Sequence, residues 1–156
     1  MAGESLPHEA WARVAAVPPG VLNSPNFSII ATDARGIIRL FSAGAEHLLG
    51  YAASDVLDRM SPGDLQSPEE VVARAEHLSR EMGVRIAPGL EALAYKPSRD
   101  IGDTYELTYI CKDGSRLPTM VSVTALRDAA SEIIGYLLIG TENCARKRFD
   151  KFALSS

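Results

Sequence analysis

The 156-residue chain carries little that announces a chemistry or a compartment. Its two cysteines are too few for a disulfide framework, and its length suffices to bury a core without one. No apolar run reaches the roughly 18 residues that a membrane-spanning helix needs, and the N-terminus lacks the basic-then-apolar order of a secretory leader. A cytoplasmic protein with no membrane insertion is the expectation. Sixteen basic residues against 20 acidic ones leave a mild formal net charge of −4, which does not point to nucleic acid. Among the three histidines and two cysteines there is no C-x-x-C or H-x-x-x-H spacing, so no metal site is expected. Glu69, Glu70 and Glu76 read instead as helix-start and solvated-face charges. There is no Gly-x-Ser-x-Gly, and Gly44 and Gly50 flank one short helix without the spacing of a phosphate loop. No catalytic residue is assigned, and the domain is not expected to be an enzyme.

What is present is strand and turn. Tyr105 to Cys111 alternates apolar and polar residues, and Lys112-Asp113-Gly114-Ser115 predicts a two-residue hairpin closed by the Asp-Gly pair. Leu117, Thr119, Val121, Val123 and Ala125 share one face of the next strand. Residues 133–141 are almost wholly apolar, as in a strand shielded on both sides. Cys111 and Cys144 fall at the same end of this sheet with a strand between them. Two inter-strand steps of about 10 Å in all exceed the roughly 7 Å limit of a disulfide, which predicts free thiols.

The first half of the chain supplies the cover for that ribbon. Residues 1–22 read as a helical lead-in, with Ser5 available as a cap, Pro7 in the first turn and Pro18-Pro19-Gly20 at its end. Trp11 and Val14 are too small a face for a helix to stand alone, so docking on the domain, or on a second copy, is expected. Residues 27–32 and 37–41 form a hairpin about Asp33-Ala34-Arg35-Gly36. Ser42 caps a short helix with Ala45, Leu48 and Leu49 on its apolar face and Gly50 at its end. Another helical turn begins at Tyr51 and is broken at Ser61-Pro62-Gly63-Asp64. Ser67-Pro68-Glu69-Glu70 reads as a capping box opening a helix that runs to Met82 and stops at Gly83. Its stripe of Val71, Ala75, Leu78 and Met82 is expected to pack on the sheet. Residues 88–95 predict one more helical stretch.

Two strands, several short helices and three strands is an order that resembles a PAS domain. Thr32-Asp33-Ala34-Arg35-Gly36-Ile37-Ile38 looks like that family's opening hairpin, and Ala45-Glu46-His47-Leu48-Leu49-Gly50-Tyr51 is similar to its first helix. Lys112-Asp113-Gly114-Ser115-Arg116-Leu117-Pro118 resembles its best-known hairpin, and Arg146-Lys147 its exit. The resemblance spans residues 27–147. It weakens at Glu142-Asn143-Cys144, where the family usually reads Asp-Ile-Thr. The long segment 67–100 resembles a subgroup from bacterial signalling proteins with histidine kinase or diguanylate cyclase outputs. The resemblance implies an α+β fold, a five-stranded antiparallel sheet with short helices on one face, a pocket between them and an N-terminal helical lead-in. It divides the chain into a lead-in or dimerisation segment (1–22), a PAS domain (23–144) and the start of a linker helix to an effector (145–156).

The residues speak against two cofactors that members of this family bind. His77 is the haem candidate, because some PAS domains bind haem through a histidine on the long helix. At about 100° per residue it lies roughly 130° from the apolar stripe and points to solvent. His47 faces away from its own apolar face as well, and His8 is in the lead-in. Flavin-binding relatives place a cysteine after the short helices, where Val56-Leu57-Asp58-Arg59-Met60-Ser61 has none. They also hold the ring with an Asn and a Gln on the last two strands, positions that Thr119 and Gly140 take here. Both cofactors are therefore disfavoured, and the cofactor stays unnamed.

What remains is an apolar or weakly polar pocket. Strand alternation and the resemblance place Ile30, Thr32, Leu48, Thr119, Val121, Tyr136, Leu138 and Gly140 around it, with plain core packing as the competing explanation. Thr119 and Tyr136 offer hydroxyls for specificity. The leading expectation is a sensory module that binds a small ligand or partner and signals to an effector domain in cis, as a homodimer. A ligand-free interaction module, dimerising through Trp11 and the outward Met120 and Leu126, is the alternative. A haem-based gas or redox sensor is the second.

Overall fold

Three hairpin turns of one design order the strands. The computed structural model describes residues 8–99, 101 and 103–142. In it β1 (Phe27–Asp33) turns into β2 (Ile38–Phe41), β3 (Asp103–Ile110) into β4 (Arg116–Arg127), and β4 into β5 (Ile133–Glu142). At each turn one N–H reaches the carbonyl four residues on: Asp33 to Ile37 at 3.0 Å, Cys111 to Ser115 at 2.8 Å, Asp128 to Glu132 at 3.0 Å. Each loop therefore holds three residues, and its third is left-handed: Gly36 at φ 88°, Gly114 at φ 89° and Ser131 at φ 65°. The two-residue loop expected at Asp113-Gly114 is thus a three-residue one. Asp33, Asp113 and Asp128 pin the turns by accepting loop N–H groups at Oδ1.

The strands form one antiparallel sheet in the order β2-β1-β5-β4-β3, so the chain begins and ends its sheet side by side. Alternation divides the two faces. Ile30, Leu107, Tyr109, Val121, Val123, Tyr136 and Leu138 enter the main core on the inner face. Ile29, Ala31, Leu126 and Leu137 enter a second cluster on the outer face. The outer cluster is closed by Ala10, Val14 and Val17, which places α1 (His8–Ala15) and α2 (Pro19–Leu22) across the β1, β5 and β4 half of that face. The lead-in therefore docks on its own domain. Leu126, expected as outward apolar surface, is covered by this helix, whereas Met120 stays 37% exposed. Ser5, Cys144 and the linker helix expected over 145–156 lie outside the described residues; Cys111 is a free thiol.

The inner face is roofed by α3 (Ala43–Leu49), α4 (Ala53–Val56), a 3-10 turn (Pro62–Leu65), α5 (Pro68–Met82) and α6 (Leu90–Ala94). Ser42 caps α3 as its position predicts, its Oγ accepting from Ala45 N–H at 3.1 Å and also from Ile29 N–H at 3.0 Å. The start of α5 departs from expectation. Ser67 makes no side-chain cap and donates its hydroxyl to Glu69 Oε2 at 2.7 Å. Glu70 leaves the helix end altogether and takes the N–H and hydroxyl of Thr108 on β3, both at 2.7 Å. Because Thr108 is buried, its N–H needs a partner there, and a charged acceptor serves it well. The apolar stripe also goes elsewhere than predicted: Ala75, Leu78 and Met82 pack with Ile86, Ala92 and Tyr95, on the α6 segment and not on the sheet.

Candidate functional site

The strand register assembles seven of the eight candidate residues into one patch. Thr32 stands opposite Tyr136, Ile30 opposite Leu138, and Val121 opposite Gly140, with Thr119 two residues before Val121 on the same face. Leu48 of α3 packs against the same core. The patch is filled: Ile30, Thr32 and Val121 have no exposed surface, and Thr119 and Leu138 are within 2% of none. Tyr136 reaches an open groove of about 380 Å3 beside Tyr95 and Arg99, and Leu48 reaches another of about 350 Å3 beside Cys111 and Lys112. Burial raises the Tyr136 phenol above its ordinary value, opposed by the charge of Arg127.

Gly140 marks where the patch is tightest. A Cβ there would stand 2.7 Å from Ser28 Oγ and 2.9 Å from Thr119 Cγ2. Thr119 is held in place by its own hydroxyl, which donates to the Leu117 carbonyl at 3.0 Å. Ser28 Oγ is buried without a hydrogen-bond partner among the described residues, as is the Tyr109 hydroxyl. Tyr109 is 1% exposed, and burial drives its phenol far above the ordinary value. Such a neutral donor in an apolar core, without a partner among the described residues, is costly to bury.

Space lies beside the patch, not on it. A cavity of about 30 Å3, room for one or two waters, opens between Gly36, Pro62, Gln66, Val71, Leu93 and Tyr105. Its walls come from the β1–β2 turn, the 3-10 turn, α5, α6 and β3. None of the eight candidates lines it. Arg74 does, its guanidinium stacked 3.9 Å from the Tyr105 ring centre. Sequence reasoning missed these residues because they sit on loops and short turns without periodicity. The breaks at Pro62-Gly63 and Gly89 were the available signal. His77 faces solvent, 65% exposed and 3.8 Å from Glu81, and does not line the cavity. Among the described residues no cluster of metal-ligating side chains occurs, and no helix is long and apolar enough to cross a membrane.

The profile of the family described as PAS fold matches residues 20–142. No curated protein matches the chain. Among solved structures, a light-oxygen-voltage domain studied with a flavin analogue is 24% identical, with a TM-score of 0.55 over 82% of this chain and 87% of that one. The dark structure of the blue-light photoreceptor Aureochrome1 LOV is 21% identical, with a TM-score of 0.56 over 83% and 86%. A PAS domain from Colwellia psychrerythraea is 17% identical, with a TM-score of 0.56 over 85% and 94%. Such likenesses bear on fold alone. A flavin ring system does not fit the interior described above: the cavity is an order of magnitude below the few hundred Å3 of a cofactor site, and Ser28 and Thr119 close the corner at Gly140 where an amide side chain would have to enter.

Proposed function

The chain belongs to the PAS family, and from that premise we propose that it is a sensory module whose interior, between the α5–α6 segment and the sheet, takes a small ligand that biases the sheet. The observation that carries this reading is a small cavity between the sheet and the α5–α6 segment, in a domain whose core holds a hydroxyl, on Tyr109, without a partner among the described residues. A ligand supplying an acceptor there would recover a hydrogen bond the folded protein lacks. The change would leave along β5, which is bonded on both sides and runs to the end of the described chain. An effector in cis beyond residue 144, of histidine kinase or diguanylate cyclase type, in a cytoplasmic bacterial signalling protein, completes the proposal. The lead-in at 1–22 and the outer sheet face are proposed to support a homodimer, with the PAS domain proper at 23–144. Within it, Ile30, Thr32, Leu48, Thr119, Val121, Tyr136, Leu138 and Gly140 are proposed as the wall that responds to occupancy.

Native mass spectrometry of the purified protein, with extraction and absorbance of any bound compound, tests this. A stoichiometric small molecule is the expected result. An empty dimer would transfer the reading to a ligand-free interaction module, and a Soret band after haem addition would transfer it to a haem sensor.

A further inference from the structure

The groove beside Tyr136 is separate from the cavity and shares none of its lining residues. Leu90, Ala92 and Leu93 of α6 line the cavity while Glu91 and Ala94 line the groove, the division that about 100° per residue imposes on a helix. At about 380 Å3 the groove has the size of a small-molecule site. Its other walls are Val84 and Arg85 from the link after α5, Tyr95, Ser98 and Arg99 around the 3-10 turn Pro97–Arg99, and Tyr136 of β5. Arg99 is held there by design of its neighbours. Its guanidinium stacks 3.8 Å from the Tyr95 ring centre, and Nη1 donates to the Tyr95 carbonyl and to Ser98 Oγ, both at 3.1 Å. Ser98 is fixed in turn: its Oγ donates to the Tyr95 carbonyl at 3.0 Å, and its carbonyl accepts from Arg127 Nη2 at 2.9 Å.

Those bonds spend Nη1 and leave the Nε–Nη2 edge without a partner among the described residues. That edge carries two parallel N–H groups, the match for the two oxygens of a carboxylate. Among the described residues no carboxylate pairs with Arg99 or with the exposed Arg85. Glu91, the one acid on the lining, accepts the Ala87 N–H at Oε2 at 2.9 Å, so two guanidinium charges stand against one carboxylate. The groove also has an oily half. Val84 is an aliphatic side chain left 48% exposed beside these cations, and Ala94 and Tyr136 line the same space. A bare inorganic anion would use only the first half and a neutral hydrocarbon only the second. We infer that the groove binds a small organic carboxylate with an apolar body: the carboxylate takes the open edge of Arg99, Arg85 adds charge, and the body lies against Val84, Ala94 and Tyr136. The inference goes beyond the sensory reading above, because it concerns a second site and stands without a ligand in the cavity.

The test is an NMR titration of the full chain with benzoate, read at the backbone amides and at the Arg99 Nε–H. Benzoate should shift that Nε–H and the amides of Val84, Ala94 and Ser98, with a dissociation constant on the order of 1 mM for so small a probe. Benzamide keeps the ring without the charge, and acetate keeps the carboxylate without the ring. Each should bind at least about fivefold more weakly than benzoate. Arg99→Lys retains the charge but not the two-pronged edge and should weaken benzoate by about fivefold. Arg85→Gln should weaken it by about twofold, and Arg80→Gln, an exposed arginine of α5 outside the groove, should leave it unchanged. Val84→Asp sets a like charge on the apolar wall and should abolish binding. Arg99 and Val84 are both exposed, so the fold tolerates either change; should one variant fail to fold, the other carries the test. No shift in this region at about ten times the expected dissociation constant, benzamide or acetate equal to benzoate, an equal loss in Arg80→Gln, or full affinity in Arg99→Lys or Val84→Asp would each overturn the inference. A ligand recovered from the purified protein that leaves these signals unmoved bears on the cavity alone, so the two readings fail separately.

Discussion

Adding a single methyl group at Gly140 measures how tightly the inner wall of the sheet is shut. The strand is bonded to β1 and to β4, with Gly140 opposite Ser28 on one side and Val121 on the other, so its backbone has little room to retreat. In Gly140→Ala the new Cβ meets Ser28 Oγ at 2.7 Å and Thr119 Cγ2 at 2.9 Å. Ser28 Oγ has no hydrogen-bond partner among the described residues and can rotate. Thr119 cannot, because turning its methyl away breaks the 3.0 Å bond from its hydroxyl to Leu117. Overpacking of this kind costs about 1–3 kcal/mol, and replacing glycine in a compatible backbone returns about 0.4–1 kcal/mol through the unfolded chain. The net is a loss of about 1–2 kcal/mol, read as a lower urea midpoint at unchanged slope. Thr119→Ser keeps the hydroxyl and removes the obstructing methyl. In that background Gly140→Ala should cost about 1 kcal/mol less, whereas Ser28→Ala should give little coupling. A Gly140→Ala protein as stable as the wild type, or a cycle with Thr119→Ser that closes at zero, would refute the packing described for this corner.

Other outcomes follow from the same contacts. Glu70→Ala removes two charge-assisted bonds to Thr108 and should cost about 2 kcal/mol, with faster amide exchange at Thr108; slow exchange there would show that the α5 latch is not what protects it. Ser131 sits at φ 65° in a turn whose two counterparts use glycine, so Ser131→Gly should raise stability by roughly 1 kcal/mol in thermal unfolding, and a loss would contradict the turn assignment. The Asp113 carboxylate is held below its ordinary value by the Ser115 hydroxyl and then the Ser115 N–H. With a folded value below the unfolded one, its contribution is present above the unfolded value and is lost as pH falls through the folded one, below about 4. An NMR titration of the carboxyl, with Asp113→Asn as the control, reads the shift directly.

Local chemistry was legible along the chain wherever a few neighbouring residues decide the outcome. Ser42 and Gly50 bracket α3 as their types require, and the aspartate-led turns at Asp33 and Asp113 lie where the alternating runs meet. What escaped was the choice of distant partner. Glu70 has the spacing of a capping box, yet a buried N–H on β3, 38 residues away, takes its carboxylate. The stripe on α5 announces an apolar face but not its destination, and Ile86 and Ala92 compete for it against the sheet. Asp113-Gly114 suits loops of two or three residues, and only the pairing of Cys111 with Ser115 distinguishes them. Seven of the eight proposed wall residues share one face of the sheet, as period two requires, whereas Leu48 comes from α3. The cavity was not, since its lining is drawn from turns whose meeting in space no periodicity encodes.

The cover on the outer face has a practical consequence for anyone preparing this domain in isolation. The family profile starts at residue 20, ten positions after Ala10, the first fully buried side chain among the described residues. A fragment cut at the profile boundary would strip Ala10, Val14 and Val17 from Ile29, Ala31, Leu126 and Leu137, leaving an oily strip across the middle of the sheet. Such strips drive molecules together whatever their biological assembly. A dimer observed with that fragment would then report the scissors rather than the protein, and the oligomeric state is meaningful only for chains that keep α1.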